Sequence, residues 1–516
     1  MIVVSRFCLA LFLHAVLITS LSAQLHDFQW LFGTYRAVDN TEEVYNIQFD
    51  FHDRPVSINE VEDTDMIFYF TGTRVADSLG NLLFYGNGCE IKNRYGERMA
   101  NGGGLNPGII ADFYCDPEDG WNTYPGATQS ILSLPQPGHD SIWYVFHQTM
   151  EIDPFIFAEH SMYSLVNTSA NDEAGELMMK NVILDSLPAI GQLSACLSDD
   201  LEAWYIPISK RGGGDVNTYR LDSSGLELHH QQMVGDPWDP NDAGAFMARF
   251  SPDGSLFVRY SARVGLQVFD FDRSTGEFSN FRSLPRLVPT DSIGTGGVEF
   301  SPSGRFLYLT SWWYIDQIDL WAPSLAEGLT RVAIKEPEET LFPAAFMHPQ
   351  LGPDCRLYIF CGSCDWVHLI HRPDELGTDC MFEYKAIQTP TSYFRGTPIF
   401  PKYRMRALGD TSSICDHVTA SVISSTTELV EAEGAELLLY PNPAGEAVRL
   451  LWPESPGSVV WRIYDLQGRQ LLTGRVDQQA GQEALEIDLQ RLTTGAYLLQ
   501  LWNDQGQQWT RKLMVE

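Results

Sequence analysis

The stretch Ser251-Pro-Asp-Gly-Ser-Leu-Phe-Val-Arg-Tyr260 contains the pattern that decides the fold of this 516-residue chain. Proline followed by aspartate and glycine presets a tight turn, because proline fixes one backbone angle and glycine tolerates a positive one. The apolar and aromatic residues that follow at once are typical of a β-strand. Ser301-Pro-Ser-Gly-Arg-Phe-Leu-Tyr-Leu309 repeats the pattern 50 residues later. The sequence therefore predicts a repeated unit built from a turn and a strand.

Six copies of this pattern lie between residues 77 and 373. Their strands are Asn81–Tyr85, Ser141–Phe146, Glu202–Ile206, Ser255–Tyr260, Arg305–Leu309 and Arg356–Phe360, and their starts are 60, 61, 53, 50 and 51 residues apart. Other short strands with alternating apolar and polar residues flank most copies, so each unit has room for about four strands. A period of this length with about four strands per unit is the signature of a β-propeller blade.

The predicted fold class is therefore all-β, with a β-propeller over residues 25–406. One blade cannot bury both of its faces, so the blades must stack into a closed ring. Segments 28–52 and 394–404 are available to form a seventh blade by joining the two ends of this region, although six or eight blades also fit the pattern. An elongated β-solenoid is the alternative, but its repeats are shorter.

The front of this region also resembles a known family. The segments that carry the resemblance are Phe32-Gly33, Asp77–Gly88, Asn93–Gly103, Thr128–Leu132 and Lys180–Leu184, together with the Ser-Pro-Asp-Gly turn. They are similar to the opening blades of exported WD-repeat-like propellers of Bacteroidota, over roughly residues 28–406. Regular Trp-Asp pairs at the blade ends are absent from this sequence. The resemblance implies architecture and export, and it assigns no activity.

The amino terminus and the charge of the chain both favour export. A basic residue at Arg6, an apolar run over Phe7–Leu21 and small residues up to Ala23 predict a signal peptide over residues 1–23. The run is shorter than the ~20 apolar residues that a membrane-spanning helix needs, so a membrane anchor is the weaker alternative. We expect no transmembrane segment in the mature chain. The formal net charge of -33 excludes nucleic acid as a partner, because phosphate binding requires a basic surface.

A separate unit begins after a stretch rich in serine, threonine and glutamate, which predicts a linker over residues 407–434. Strands broken by Asn-Pro and glycine turns predict a small C-terminal β-sandwich over residues 435–516. Its order of motifs resembles the type A C-terminal sorting domain of the type IX secretion system. The residues that carry this resemblance are Tyr440, Pro441, Asn442, Pro443, Gly468, Gly495, Tyr497 and Lys512. The resemblance implies that the type IX secretion machinery is a partner of this chain.

Eight cysteines remain after the predicted signal peptide, and an even number in an exported chain favours disulfides. The candidate disulfide cysteines are Cys89, Cys115, Cys355, Cys361, Cys364 and Cys380. Cys361-Gly-Ser-Cys364 also has the spacing of a zinc site or of a redox pair, which are the alternatives. The disulfide interpretation predicts a mature chain with no free thiols.

No catalytic motif with a defined spacing occurs in the sequence, and no cofactor is predicted. Asp236, Asp239, Asn241 and Asp242 offer oxygen ligands for calcium, but the two prolines among them also fit a rigid loop. Trp312-Trp313-Tyr314 offers aromatic surface for sugar binding, or alternatively for core packing. The sequence therefore favours a secreted or surface-attached, non-catalytic module that binds an extracellular protein or glycan. The alternatives are a propeller glycosidase or lyase that acts on extracellular polysaccharide, and a structural adhesion or surface-layer component.

Overall fold

This computed structural model describes most of the chain between residues 25 and 515. The described residues are 25–35, 44–53, 55–61, 66–116, 122–153, 156–238, 247–286, 296–335, 337, 343–407, 414–415, 438–440, 444–445, 447–451, 458–464, 470–477, 484–503 and 508–515. The predicted signal peptide and most of the predicted linker lie outside them. The chain divides into two compact units, residues 1–418 and 419–516. Within the described ranges, no helix has both the length and the apolar character needed to span a bilayer.

The turn that opens the repeat is held by its own side chains. In Ser251–Gly254 the amide of Gly254 donates to the carbonyl of Ser251 at 2.9 Å, and Gly254 has a φ of 73°. The Ser251 hydroxyl donates to Asp253 at 2.5 Å and accepts the amide of Leu256 at 2.9 Å. These bonds reverse the chain into the next strand, as the sequence pattern predicts.

Unit 1 consists of antiparallel meanders in which each strand pairs with the next. The first has three strands, β1 (Gln29–Tyr35), β2 (Val44–Asp50) and β3 (Ser57–Val61). The second has β4 (Thr73–Ala76), β5 (Leu82–Gly86), β6 (Glu90–Asn93) and β7 (Arg98–Gly103). A short helix, α1 (Ile109–Tyr114), precedes the third meander, which has β8 (Ile131–Pro135), β9 (Ile142–Ile152), β10 (Ile156–Asn167) and β11 (Glu176–Ser186).

The later meanders follow the same scheme. The next comprises β12 (Cys196–Leu197), β13 (Trp204–Ser209), β14 (Asp215–Asp222) and β15 (Gly225–Met233). It is followed by β16 (Met247–Phe250), β17 (Leu256–Ser261), β18 (Gly265–Asp272) and β19 (Glu277–Pro285). Then come β20 (Gly296–Phe300), β21 (Phe306–Ser311), β22 (Tyr314–Asp319) and β23 (Leu329–Ile334). The last has β24 (His348–Leu351), β25 (Leu357–Phe360), β26 (Cys364–Ile370) and β27 (Phe382–Tyr393), with a 3-10 turn at Gly377–Cys380.

The meanders are arranged as the blades of a β-propeller. The first strand of a meander contacts the first strand of the next, as β1 does with β4 and β20 with β24. Strand β27 of the last meander contacts all three strands of the first, so the ring closes there. Outer strands β7 and β11 also pair in parallel at Ala100 and Glu176, which joins the second and third meanders into one eight-stranded sheet.

Residues 394–404 differ from the expectation that they supply strands to a closing blade. They contain no strand, and β1–β3 of the first meander come from residues 29–61 alone. Residues 394–407, here called the central segment, instead contact the inner strands of several meanders. Gly396 and Thr397 accept hydrogen bonds from Arg74 on β4 at 3.0 and 2.9 Å, and Tyr403 donates to the carbonyl of Ser133 on β8 at 2.6 Å. The segment therefore lies in the channel of the ring.

Unit 2 contains two sheets that share one apolar core. The three-stranded sheet pairs β28 (Leu438–Tyr440), β29 (Ala447–Leu451) and β32 (Ala484–Asp488). The four-stranded sheet is formed by β30 (Ser458–Tyr464), β31 (Gln470–Asp477), β33 (Gly495–Asn503) and β34 (Gln508–Val515). Val448, Ile487, Leu499 and Leu513, from both sheets, lie in the same buried cluster.

Candidate functional site

Buried charges hold the central segment in the channel. The carboxylate of Glu299 on β20 is inaccessible to solvent, and it accepts a 2.5 Å hydrogen bond from Nζ of Lys402. Nε of Arg249 on β16 lies 3.3 Å from the other carboxylate oxygen, although the angle is not that of a hydrogen bond. Burial lowers the pKa of both Arg249 and Lys402, and the charge of Glu299 opposes this effect. A second pair joins Arg404 to Asp27 at 3.0 Å.

The described cysteines form three disulfides and leave two thiols free. The pairs are Cys89–Cys115, Cys361–Cys364 and Cys355–Cys415. The prediction that Cys380 is disulfide-bonded is wrong, because Cys380 is a buried free thiol at the end of the 3-10 turn and Cys415 takes the bond to Cys355. Cys196 is also free, so the expectation of a chain without free thiols is wrong too. Its sulfur lies 3.5 Å from that of Met405 in the central segment.

The proposed calcium ligands lie only partly within the described residues. Asp236 is exposed, and its backbone carbonyl accepts a hydrogen bond from Gln267 at 2.9 Å. Trp238, two residues later, stacks against the guanidinium of Arg259 at 4.6 Å. Asp239, Asn241 and Asp242 lie outside the described residues. Across the described ranges, no three histidine, cysteine or acidic side chains come together as a metal site would require.

A cavity of about 700 Å³ opens on unit 1 where the central segment leaves the channel. The hairpin turns β4–β5, β8–β9 and β12–β13 form its walls, and residues 403–407 form part of its floor. Its charged and aromatic lining residues are His26, Asp77, His139, Asp140, Trp143, Glu202, Trp204, Tyr403, Arg404 and Arg406. A volume of this size is typical of small-molecule sites, which occupy about 300–1,000 Å³.

The floor of the cavity is an aromatic cluster. The ring of His26 packs edge-on against Trp143 at 4.9 Å and against Tyr403 at 5.3 Å between centroids. Trp204 makes a similar contact with Tyr403 at 6.1 Å. All four side chains are almost completely buried, and all four line the cavity. The cluster gives the site a rigid apolar base.

Two polar atoms on this floor have no hydrogen-bond partner among the described residues, and they differ in exposure. Nδ1 of His26 is 2.7 Å from the carbonyl of Ala76, and a carbonyl only accepts, so the neutral imidazole carries its proton on Nδ1 and leaves Nε2 as an acceptor. Burial lowers the pKa of His26, which favours this neutral form. Nε1 of Trp143 is a buried donor for which the described residues provide no hydrogen-bond partner. The indole nitrogen has almost no exposed surface, so of these two atoms only the imidazole acceptor is open to a ligand.

The charged groups around the cavity differ in whether they already have hydrogen-bond or ion-pair partners within the protein. Oδ1 of Asp77 accepts the amides of Leu79 at 2.9 Å and Asn81 at 3.0 Å, so this carboxylate holds the β4–β5 turn. The guanidinium of Arg404 is paired with Asp27. Asp140 and Glu202 are exposed at the mouth. The outer wall is therefore acidic, and the charge of Arg404 beside it is already balanced by Asp27.

Sequence reasoning missed this site, although the repeat contains a signal for it. Leu83, Trp143 and Trp204 each occupy the third position of a repeat strand, in the second, third and fourth meanders. Equivalent positions of neighbouring blades lie at equal depth, so these three side chains meet in one cavity. Trp313, which the sequence offered for sugar binding, lies far along the chain and packs against Lys335. His26 and Tyr403 gave no signal because they lie outside the repeats.

The motif residues of the tail are only partly described. Gly495 starts β33, and Lys512 lies within β34. Tyr497 is buried, and its hydroxyl donates to the carbonyl of Thr493 at 2.6 Å. Tyr440 ends β28, whereas Pro441, Asn442, Pro443 and Gly468 lie outside the described residues.

Residues 438–516 match the family model of the secretion system C-terminal sorting domain. This match supports the assignment of the tail to type IX secretion and implies that the tail interacts with the secretion machinery. The chain is therefore a secreted or cell-surface protein. No curated protein sequence matches this chain.

The chain is also similar to solved propeller structures. The Dos1 propeller is 12% identical, with a TM-score of 0.36, and the match covers 66% of this chain and 91% of that one. Sqt1 of Saccharomyces cerevisiae is 9% identical, with a TM-score of 0.38 and coverage of 71% and 87%. The β-propeller domain of Cps50 (Swd1) from Myceliophteria thermophila is 10% identical, with a TM-score of 0.35 and coverage of 61% and 86%. None of these likenesses bears on function.

Proposed function

We propose that this chain is a non-catalytic binding module that captures an extracellular ligand in the cavity beside the exit of the central segment. In this proposal the chain is a WD-repeat-like propeller of seven blades from a Bacteroidota bacterium, followed by a small β-sandwich that the type IX machinery recognises. The observation that carries the proposal is the combination of a channel filled by the chain itself with a cavity of about 700 Å³ next to it.

The filled channel favours a ligand on the face of the ring. Propellers offer ligands either a channel or a face, and here Lys402 and Arg404 occupy the channel with buried ion pairs. Displacing Arg404 would leave Asp27 buried without its ion-pair partner, which costs about 3–5 kcal/mol, and displacing Lys402 would remove one of the two cations beside Glu299. A ligand that enters the cavity avoids this cost.

A propeller glycosidase or lyase is the second candidate, because the carboxylates of Asp77, Asp140 and Glu202 line one cavity. Glycoside hydrolysis uses two carboxyl groups about 5–10 Å apart on either side of the bond that breaks. The carboxylate of Asp77 already accepts hydrogen bonds from the β4–β5 turn, so Asp140 and Glu202 are the pair of carboxylates to test. Loss of any hydrolytic activity in a variant that combines Asp140→Asn with Glu202→Gln would identify an enzyme.

The binding proposal is tested with two substitutions in the same turn. Ser78 lines the cavity, whereas its neighbour Leu79 is 70% exposed and does not. Ser78→Trp fills the mouth of the cavity, and Leu79→Trp adds the same bulk outside it. Purified mature protein is titrated calorimetrically with extracellular polysaccharide fragments and peptides. We expect Ser78→Trp to abolish binding that Leu79→Trp retains, and equal binding by both variants would refute the cavity as the site.

A further inference from the structure

The side chain of His26 indicates which chemical group of a ligand the cavity binds, and this inference rests on the proposed binding function. His26 lines the cavity, and only 5% of its surface is exposed. Because Nδ1 donates to the carbonyl of Ala76, Nε2 carries a lone pair, and the described residues offer this nitrogen no donor. The group of a ligand that meets Nε2 must therefore carry a hydrogen-bond donor.

The other polar side chains of the cavity have few donors left for a ligand. The amide of Gln136 donates to two carbonyls of the β14–β15 turn, at 3.3 and 3.2 Å. The hydroxyl of Thr168 donates to the carbonyl of Ser141 at 3.2 Å, and the guanidinium of Arg404 is paired with Asp27 at 3.0 Å. A ligand that presents mainly acceptors, such as a carboxylate or a phosphate, therefore finds few partners, and an amide satisfies only its N–H half.

The charges that line the cavity favour a cationic donor over a neutral one. Three carboxylates, of Asp77, Asp140 and Glu202, line it together with two guanidinium groups. Arg404 is balanced by its own carboxylate partner, and Arg406 also has a partner of its own. A cleft lined by one sign of charge concentrates its field inside, so a cation gains from carboxylates that it does not touch. The charge that the cavity offers to a ligand is therefore negative.

The negative charge also acts at the imidazole acceptor. Burial lowers the pKa of His26, and the hydrogen bond to Ala76 and the charges of Asp27 and Asp77 partly oppose this effect. Since burial prevails, the imidazole is neutral and accepts at Nε2. An N–H group that carries a positive charge gains a charge-assisted hydrogen bond at this nitrogen and the attraction of the Asp77 carboxylate in addition.

The apolar part of the lining suits an aliphatic stem. The side chains of Leu83, Leu201, Trp143 and Trp204 line the cavity and carry no charge. The methylene groups of a lysine or arginine side chain pack well on such a surface while the charged head stays with polar partners. A cationic head on an aliphatic stem therefore matches both parts of the lining.

We propose that the ligand presents a primary ammonium or guanidinium group on an aliphatic stem, and that this group donates a hydrogen bond to Nε2 of His26. The group belongs either to a lysine or arginine side chain of an extracellular peptide or to a free alkyl amine. This assignment names a ligand class for the cavity, and it sets saccharides, carboxylates and phosphates aside as preferred ligands.

Isothermal titration of the mature protein tests the assignment with four matched panels. They are peptides that contain lysine or arginine, alkyl amines and guanidines with the same stems, the trimethylammonium counterparts of the amines, and saccharides, amides and acids of similar size. Trimethylation keeps the positive charge and removes every N–H donor. It therefore separates the hydrogen bond to His26 from the attraction between charges.

Two double variants show whether the wall of the cavity supplies the attraction. Asp140→Asn with Glu202→Gln removes two charges from the wall. Asp172→Asn with Glu277→Gln removes the same charge from exposed positions that do not line the cavity. This second variant controls for the attraction of any cation to a chain with a net charge of -33. Thermal unfolding checks that each variant folds.

We expect a cationic ligand to bind the unsubstituted protein, Leu79→Trp and the control double variant equally. Ser78→Trp should lose binding, the wall double variant should bind about fivefold more weakly, and trimethylation should weaken binding about tenfold. A peptide that binds more tightly than the amine with its stem identifies a protein as the source of the cation, and the reverse order identifies a free amine.

Cavity-dependent binding of a saccharide, an amide or an acid in preference to the cations would overturn the assignment and leave the binding function standing. Equal affinities for an amine and its trimethylated form, or equal effects of the two double variants, would do the same. Cation binding that Ser78→Trp does not affect, or no binding in any panel, would overturn both proposals.

Discussion

The ion pairs in the channel predict how much stability two substitutions cost, because each substitution leaves a different number of buried charges without a partner. Glu299 is the one anion between two cations, Arg249 and Lys402, and its side chain has no solvent exposure. Glu299→Gln keeps the shape of the side chain and leaves two buried cations facing each other without a counter-ion. Lys402→Met, in contrast, leaves the neutral pair of Arg249 and Glu299 in place.

The two variants should therefore differ strongly in stability. Removing one partner of a buried ion pair costs about 3–5 kcal/mol, and Glu299→Gln belongs at or above the top of this range because two cations lose their partner. Lys402→Met loses one charge-assisted hydrogen bond, which costs about 2 kcal/mol. At a urea dependence of about 3 kcal/mol per molar, the midpoint should fall by about 1.7 M or more in Glu299→Gln and by about 0.7 M in Lys402→Met.

Urea unfolding of the full chain measures these midpoints, and thiol labelling shows whether the central segment has moved. Cys196 lies against Met405 of the segment, whereas Cys380 is a buried thiol in the last meander. In Glu299→Gln without denaturant, a maleimide should label Cys196 faster than Cys380. If Lys402→Met is the less stable variant, or if Glu299→Gln unfolds at the wild-type midpoint, the charge argument is wrong.

Three further predictions concern the disulfides, the buried histidines and the tail. Cys355–Cys415 spans 60 residues and Cys89–Cys115 spans 26, so replacing the first pair by serine should cost about 4 kcal/mol and the second about 3.5 kcal/mol, and a reversed order in urea unfolding would contradict the loop-entropy account. Burial lowers the pKa of His147 and of His348 to about 3, so between the unfolded value of 6.5 and pH 3 the unfolded chain binds more protons. The free energy of unfolding should therefore decrease as the pH is lowered through this window, by up to about 1.4 kcal/mol per pH unit for each histidine. Urea unfolding at pH 7 and at pH 5 measures this decrease. A chain that lacks residues 438–516 should stay inside the outer membrane, and cell fractionation that finds it at the surface would argue against the export route.

The repeat was predictable because its signals are local. Each quoted turn and strand copy overlaps the second strand of a meander, for example Leu256–Ser261 and Phe306–Ser311. Proline, glycine and short polar side chains within a few residues produce the turn, so no distant contact is needed to recognise it. The same local reading identified the strands of the tail from its glycine and Asn-Pro turns.

The central segment and the cavity depend on contacts that no local pattern encodes. Lys402 and Glu299 are 103 residues apart, and Arg404 and Asp27 are 377 apart. The alternation of basic and apolar residues over 402–406 looks like a strand, but its partners are side chains in the channel, so the strand expectation for 394–404 is not met. The pairing of the cysteines likewise depends on contacts between segments that are far apart in the sequence. Cys380 is closer in sequence to Cys355, but the path of the chain brings Cys415 to it.

The position of the central segment also leads to a prediction about how removal of the sorting domain affects ligand binding. Tyr403 forms part of the cavity floor, and the chain continues from there to Cys415, which is bonded to Cys355 on the β24–β25 turn. A cut anywhere beyond Cys415 therefore leaves the floor, both buried ion pairs and the disulfide in the portion that remains with unit 1. We predict that the cavity binds its ligand with the same affinity before and after removal of the sorting domain, because the described residues that line it all lie in unit 1. Tighter binding by a chain that ends after Cys415 than by the full chain would contradict this prediction.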